Sequence, residues 1–249
     1  MHPPEGRRIL ELRVARAWRV RPADQLDILN VFYTSAVGGA KVLYDDQGGL
    51  SDHYKTSISL SGSVATPSHW ASSVIAHELG HWVVATYSRW PGEGGSHYVN
   101  QPSIPGLAWS EGAATFVSHS VRSDPLYFSK QKGTSFWVDL DAFEASGSAL
   151  PLPNPSGALD QPVCESVVTA LVRDLDDPAP KGLGLAEAEV FGALASARMT
   201  GGLNRGYGKL DLVDDLDALT CGGVPAASLS TWVKDRFGFP YDGSAAICP

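Results

Sequence analysis

His77 and His81 stand four residues apart, with Glu78 directly after the first of them. On a helix, positions i and i+4 lie one turn apart on one face, so both imidazoles point to the same side. Two nitrogens placed in this way can meet one Zn²⁺ at about 2.0–2.1 Å. Glu78 lies at the edge of that face, within reach of a water on the metal whose proton it can take. Val74, Ile75, Leu79, Trp82 and Val83 surround the motif with apolar side chains and predict a buried helix. Two imidazoles and a carboxylate inside a core are costly unless paired or bound to metal, which weighs against a purely structural role. A catalytic zinc takes three protein ligands and keeps one position open. The continuation HExxHxxGxxH is absent, because Trp82, Val83, Val84 and Ala85 follow His81. The third ligand is therefore expected to be a carboxylate or a distant histidine.

The elements that must position this motif change character along the chain. The first third reads as strands: a period-two alternation over 10–20, a short strand at 41–44 ahead of a turn, and a hydroxyl-rich, β-branched strand over 54–61. The segment 25–36 is ambiguous and reads as helical in part. Thr66 and Pro67 read as N-cap and first turn of a helix that runs to about Tyr87 and carries the motif. A Gly- and Pro-rich loop over 91–106 follows, long for a connection. Helices are expected at 107–121, 162–174, 185–199, 210–219 and 230–237, with Pro151, Pro153 and Pro155 marking a stiff connector. Strands first and helices after predict an α+β fold.

The segment WSEGAATF, residues 109–116, resembles the second motif of the gluzincin metallopeptidases, the thermolysin-like and aminopeptidase-like group. These pair HExxH with a glutamate on a following helix. The resemblance implies that Glu111 is the third zinc ligand, 111 − 81 = 30 residues after His81, a separation longer than usual in the group. HELGHW, GGSH, LAWSEGAATF, the helix 165–174 and RFGFPYD also resemble poorly characterised bacterial secreted metallopeptidase-like proteins. The fold so implied is a zincin-like bilobal one: an N-terminal twisted sheet plus active-site helix, and a mainly helical C-terminal lobe. Residues 1–249 would form a single catalytic domain, with lobes at 1–90 and 107–249 joined by the loop. In the zincin fold a strand such as 54–61 forms the sheet edge over the cleft, which makes Ser57, Ser59 and Ser61 candidates for substrate binding. The chain departs from the thermolysin-like pattern at Thr115, where that group has an aspartate that orients a zinc histidine. Glu165, Asp174 and Asp176 are the candidates to replace it.

His97, after Gly94, Gly95 and Ser96, and Tyr127 are candidate stabilisers of the substrate oxyanion; the competing readings are an exposed loop histidine and a half-buried tyrosine at a helix end. His119 follows Glu111 by two helical turns, about 12 Å along the axis, and reads as structural. His53 and His69 read as surface residues. Asp211, Asp214, Asp215 and Asp217 read as a solvated helix face, with a calcium site the lesser alternative because no EF-hand loop is present.

Nineteen Lys and Arg against 27 Asp and Glu give a net charge of −8. The only basic cluster is the arginines spread over 7–21, so a nucleic-acid partner is not expected. No apolar run is long enough to span a membrane. Cys164, Cys221 and Cys248 show no CxxC pattern. A Cys221–Cys248 bridge would pin the tail and implies an oxidising compartment, with Cys164 left as a small core residue on a helix; three free thiols are the alternative. Residues 1–6 carry no apolar signal core, and the expectation is a secreted or cell-envelope protein whose leader has been trimmed. Together these readings predict a monomeric peptidase, with one Zn²⁺ per chain and Glu78 as general base, acting on a peptide or protein. The competing function is a zinc-containing scaffold of the same fold that has lost catalysis.

Overall fold

A computed structural model describes the backbone of 41–45, 52–54 and 57–61, and residues 71–153 and 157–249. The expected strand at 10–20, the segment 25–36, His69, the Thr66–Pro67 helix start and Pro155 lie outside the described residues. Mixed helix and sheet is what the described residues show.

Three strands come first: β1 (Lys41–Asp45), β2 (Asp52–Tyr54) and β3 (Ser57–Ser61). Their order is β1-β3-β2, parallel between β1 and β3 and antiparallel between β2 and β3. β3 therefore sits in the middle. Of the three candidate serines, Ser57 and Ser59 face partners in both β1 and β2, and Ser61 pairs with Asp45 of β1.

The motif lies on α1 (Ser72–Tyr87). Val74, Ile75, Leu79, Trp82, Val83 and Val84 are all buried. The helix is apolar on most faces because it has neighbours on most sides: β2, β3, the later strand β5 (Leu126–Gln131) and above all α2 (Pro105–Arg122). Pro105 at the first position of α2 matches the usual place for proline in a helix. α2 in turn packs on α3 (Glu165–Asp174).

These three helices approach more closely than side chains normally allow. A Cβ on Gly80 would lie 2.4 Å from the Ala114 carbonyl oxygen, and one on Gly112 would lie 2.7 Å from Val168 and 2.9 Å from the Glu165 carbonyl oxygen. Polar ties cross both seams: Ser118 Oγ donates to the Ser73 carbonyl at 2.9 Å, and Thr169 Oγ1 donates to the Gly112 carbonyl at 3.0 Å.

The half after α2 is less helical than expected. β5 (Leu126–Gln131), β6 (Thr134–Asp139), β7 (Glu144–Ala145) and β8 (Ser148–Ala149) form an antiparallel sheet in sequential order. Tyr127 thus belongs to a strand. Two short strands, β4 (Pro102–Ser103) and β9 (Val163–Cys164), pair and tie the end of the 91–106 loop to the start of α3. Cys164 is buried and precedes the helix, where its thiol reaches the Val99 carbonyl. The expected helix over 185–199 is broken into α4 (Glu187–Leu194) and α5 (Ala197–Thr200). α6 (Leu212–Cys221) and α7 (Ala226–Phe237) complete the fold, and Cys221 and Cys248 are bridged.

α6 overturns the reading of its aspartates as a solvated face. Asp211, Asp214, Asp215 and Asp217 are all at most 1% exposed. The helix is packed by α4, α5, α2 and α7, so no face is left for water. Arg198 pairs with Asp214 at 2.6 Å and Asp217 at 3.1 Å, and Arg205 pairs with Asp217 at 2.6 Å. Neither carboxylate oxygen of Asp215 has a hydrogen-bond partner among the described residues. Burial, with Asp214 adding to it, pushes the Asp215 pKa up to about 8.

Two outcomes follow from this packing. Gly80→Ala should lower stability by about 1–3 kcal/mol in urea titrations of the metal-free chain, because the backbone of α2 cannot yield to a methyl group. Gly192→Ala, on α4 with nothing within 4 Å of the new Cβ, should raise it by about 0.4–1 kcal/mol. Equal effects would show that helix propensity, not crowding, governs Gly80. Folding raises the Asp215 pKa from 3.8 to about 8, so its contribution is fully present below the unfolded value and is lost as pH rises through the folded one. Stability of the wild type should therefore fall more steeply than that of Asp215→Asn between about pH 4 and 8. Parallel curves would remove Asp215 as the cause.

Candidate metal centre

α1 presents His77 and His81 one turn apart, with their ring centroids 4.6 Å from each other at near right angles. α2 crosses them with its own i,i+4 pair, Glu111 and Thr115. Nε2 of His77 lies 3.1 Å from Glu111 Oε2, and Nε2 of His81 lies 3.2 Å from the same oxygen. All three side chains are buried. Burial lowers the pKa of His77. For His81 burial acts in the same direction, but the Glu111 carboxylate outweighs it and lifts the value to about 8. Burial works against ionisation of Glu111, yet the two histidines hold it well below the ordinary carboxylate range.

The outer nitrogens complete the geometry. His77 Nδ1 is 2.8 Å from Thr115 Oγ1, and His81 Nδ1 is 3.5 Å from Ser110 Oγ, at the limit of hydrogen bonding. With Nδ1 beside a hydroxyl, each ring turns its Nε2 toward Glu111. Thr115, at the position where the thermolysin-like group has an aspartate, is itself the hydrogen-bond partner of His77 that was sought in Glu165, Asp174 or Asp176. Asp174 is engaged elsewhere, with Arg173 at 2.7 Å and Arg236 at 2.7 Å.

This donor set fits a metal. Two ligands about 2.1 Å from one tetrahedral ion lie roughly 3.4 Å apart. The three donor atoms all fall within 4.8 Å of one another. An ionised carboxylate enclosed in a core by two imidazoles calls for a positive charge beside it, which a metal ion on the two Nε2 atoms would supply. Glu78 is 5% exposed and acts electrostatically on both His81 and Tyr127, which places its carboxylate beside the same site.

Three further residues reach the centre. Tyr127, on β5, packs its ring 5.7 Å from that of His77. Burial, reinforced by Glu78, Glu165 and Glu111, raises its pKa well above 10, so the phenol keeps its proton. His97 returns from the loop, with Nε2 at 3.5 Å from Glu111 Oε2 and 3.7 Å from Glu165 Oε2. Burial pushes the Glu165 carboxyl up to about 7, against the pull of His97. Its contact with His97 was not visible in the chain as written, because Glu165 lies 165 − 97 = 68 residues away and only the β4–β9 pairing brings it near. The loop that carries His97 is tied at Glu93, which Tyr207 and Lys209 hold, and at the Val99 carbonyl, which accepts from Ser166. His119 stands apart, with Nδ1 3.0 Å from the Asp124 carbonyl.

No helix among the described residues is long and apolar enough to cross a membrane. No curated protein and no solved structure matches the chain significantly. A family model for the Mycolysin C-terminal domain, a domain of secreted zinc metallopeptidases, matches residues 17–151. That span holds His77, Glu78, His81 and Glu111 and is more than half of the chain, which therefore belongs to the Mycolysin C-terminal domain family.

Proposed function

We propose that this chain is an exported zinc peptidase of zincin-like fold, with His77, His81 and Glu111 as the ligands of one ion and Glu78 as general base. The convergence of two imidazole Nε2 atoms on one buried carboxylate oxygen carries the reading. Zinc held there supplies a Lewis acid that polarises a scissile carbonyl and acidifies a water. Glu78 takes the proton of the attacking water and passes it to the leaving amine. Tyr127 keeps its O–H and is the donor best placed to meet the charge that develops on the carbonyl oxygen. Thr115 and Ser110 hold the imidazole tautomers that leave Nε2 free. The Cys221–Cys248 bridge and the family relationship support export.

Metal analysis of the purified chain should give about one tightly held zinc, lost in His77→Ala. Glu78→Gln should keep the zinc and reduce cleavage of a peptide library by at least about 10²–10⁴-fold. Zinc without cleavage in the wild type would favour the scaffold function; absence of tight zinc would end the metal reading. Thr115→Val should weaken zinc binding about 10–100-fold, the range expected when a partner of a ligating histidine is removed. Unchanged affinity in competition with a chelator would show that His77 does not need that bond.

A further inference from the structure

His97 and Glu165 have no part in the mechanism above, yet both meet the Glu111 carboxylate. His97 Nδ1 lies 3.1 Å from the Gly95 carbonyl oxygen. A carbonyl only accepts, so Nδ1 donates to it, and Nε2 faces Glu111 and Glu165. Those two side chains are only 11% and 12% exposed. Two carboxylates shielded in this way call for a positive charge beside them, either an ion or a proton on Nε2. One ring nitrogen on a backbone carbonyl and the other aimed at carboxylates is the pattern of a metal-ligating histidine. The spacing agrees: 3.5 and 3.7 Å from Nε2 to the two carboxylates, against roughly 3.4 Å for neighbouring ligands of one tetrahedral ion. The donors of His97, Glu111 and Glu165 all lie within 4.8 Å of one another, as a triad that shares only Glu111 with the first.

We propose that His97, Glu111 and Glu165 hold a second divalent cation, with the Glu111 carboxylate bridging two ions. One imidazole and two carboxylates suit zinc, which accepts both donor types. Carboxylate-bridged pairs of ions about 3.5–4 Å apart are an established arrangement in hydrolytic enzymes. The proposal rests on Glu111 being a ligand of the first ion. A protonated His97 is the competing way to satisfy the two carboxylates, and it takes up no second ion.

Equilibrium dialysis of the metal-free chain against Zn²⁺ alone, with bound metal counted by atomic emission, separates the two. The wild type should take up about two ions, the second more weakly. His97→Ala and Glu165→Gln should each leave the first affinity in place and weaken the second at least about tenfold. His97 lies in an exposed loop and Gln keeps the shape of Glu165, so the pair guards against misfolding of either variant. A single ion in the wild type at saturation overturns the second site and leaves the peptidase reading standing. A second ion that survives both substitutions overturns it as well, since that ion must bind elsewhere. Failure to bind any ion overturns both.

Discussion

The candidate metal centre depends on how closely α2 can lie against α1. Two histidines on one helix and a glutamate on another reach a common point only if the backbones nearly touch. Gly80 provides this, between Glu78 and His81, where the Ala114 carbonyl occupies the space a Cβ would fill. Two residues before Ala114, Gly112 lets α3 approach from the other side of α2. The glycines therefore sit inside the two motifs, next to the residues they bring together. A methyl group at either seam would push apart donors whose useful separations differ by a few tenths of an ångström.

The second constraint is electrostatic. His77, His81 and His97 all turn Nε2 toward Glu111 and anchor Nδ1 on a hydroxyl or a carbonyl. Three imidazoles around buried carboxylates call for positive charge at their centre, from ions or from protons on the rings. The fold treats its other buried charges differently. Asp214 and Asp217 are met by Arg198 and Arg205, so that cluster is neutralised from within and asks for no ion. Buried acids alone thus say little; the presence or absence of an internal cation separates the two clusters.

The chemistry of α1 was legible in the sequence because i,i+4 spacing is a local property of a helix. Glu111 was legible only through its motif, and the bridge between Cys221 and Cys248 through the position of the tail. The four-stranded sheet was missed. Its hairpins turn at Lys132–Gly133 and Ser146–Gly147, with positive φ at all four residues. A primed turn needs that conformation, but Lys-Gly and Ser-Gly are weak signals for it beside Asn-Gly or Asp-Gly. The aspartates of α6 were misread for a related reason. Acidic residues at spacings of one to three look like a wet face, and the arginines that neutralise them lie in loops and short helices whose partners are set by tertiary packing.

What the family match leaves out bears on the site itself. It ends at residue 151, before β9 and α3. Yet α3 begins with Glu165 at the centre, buttresses α2 at Gly112, and is joined through β9 to the strand that ends the His97 loop. Ser166 reaches back to the Val99 carbonyl, two residues beyond His97. One short pairing, Pro102–Ser103 with Val163–Cys164, therefore fixes His97 and Glu165 relative to each other and to Glu111. The matched segment carries the HExxH helix and its crossing partner, and the following segment supplies the wall that faces them. The charged side chain that this following segment adds, Glu165, faces His97 from the side that the family match does not cover.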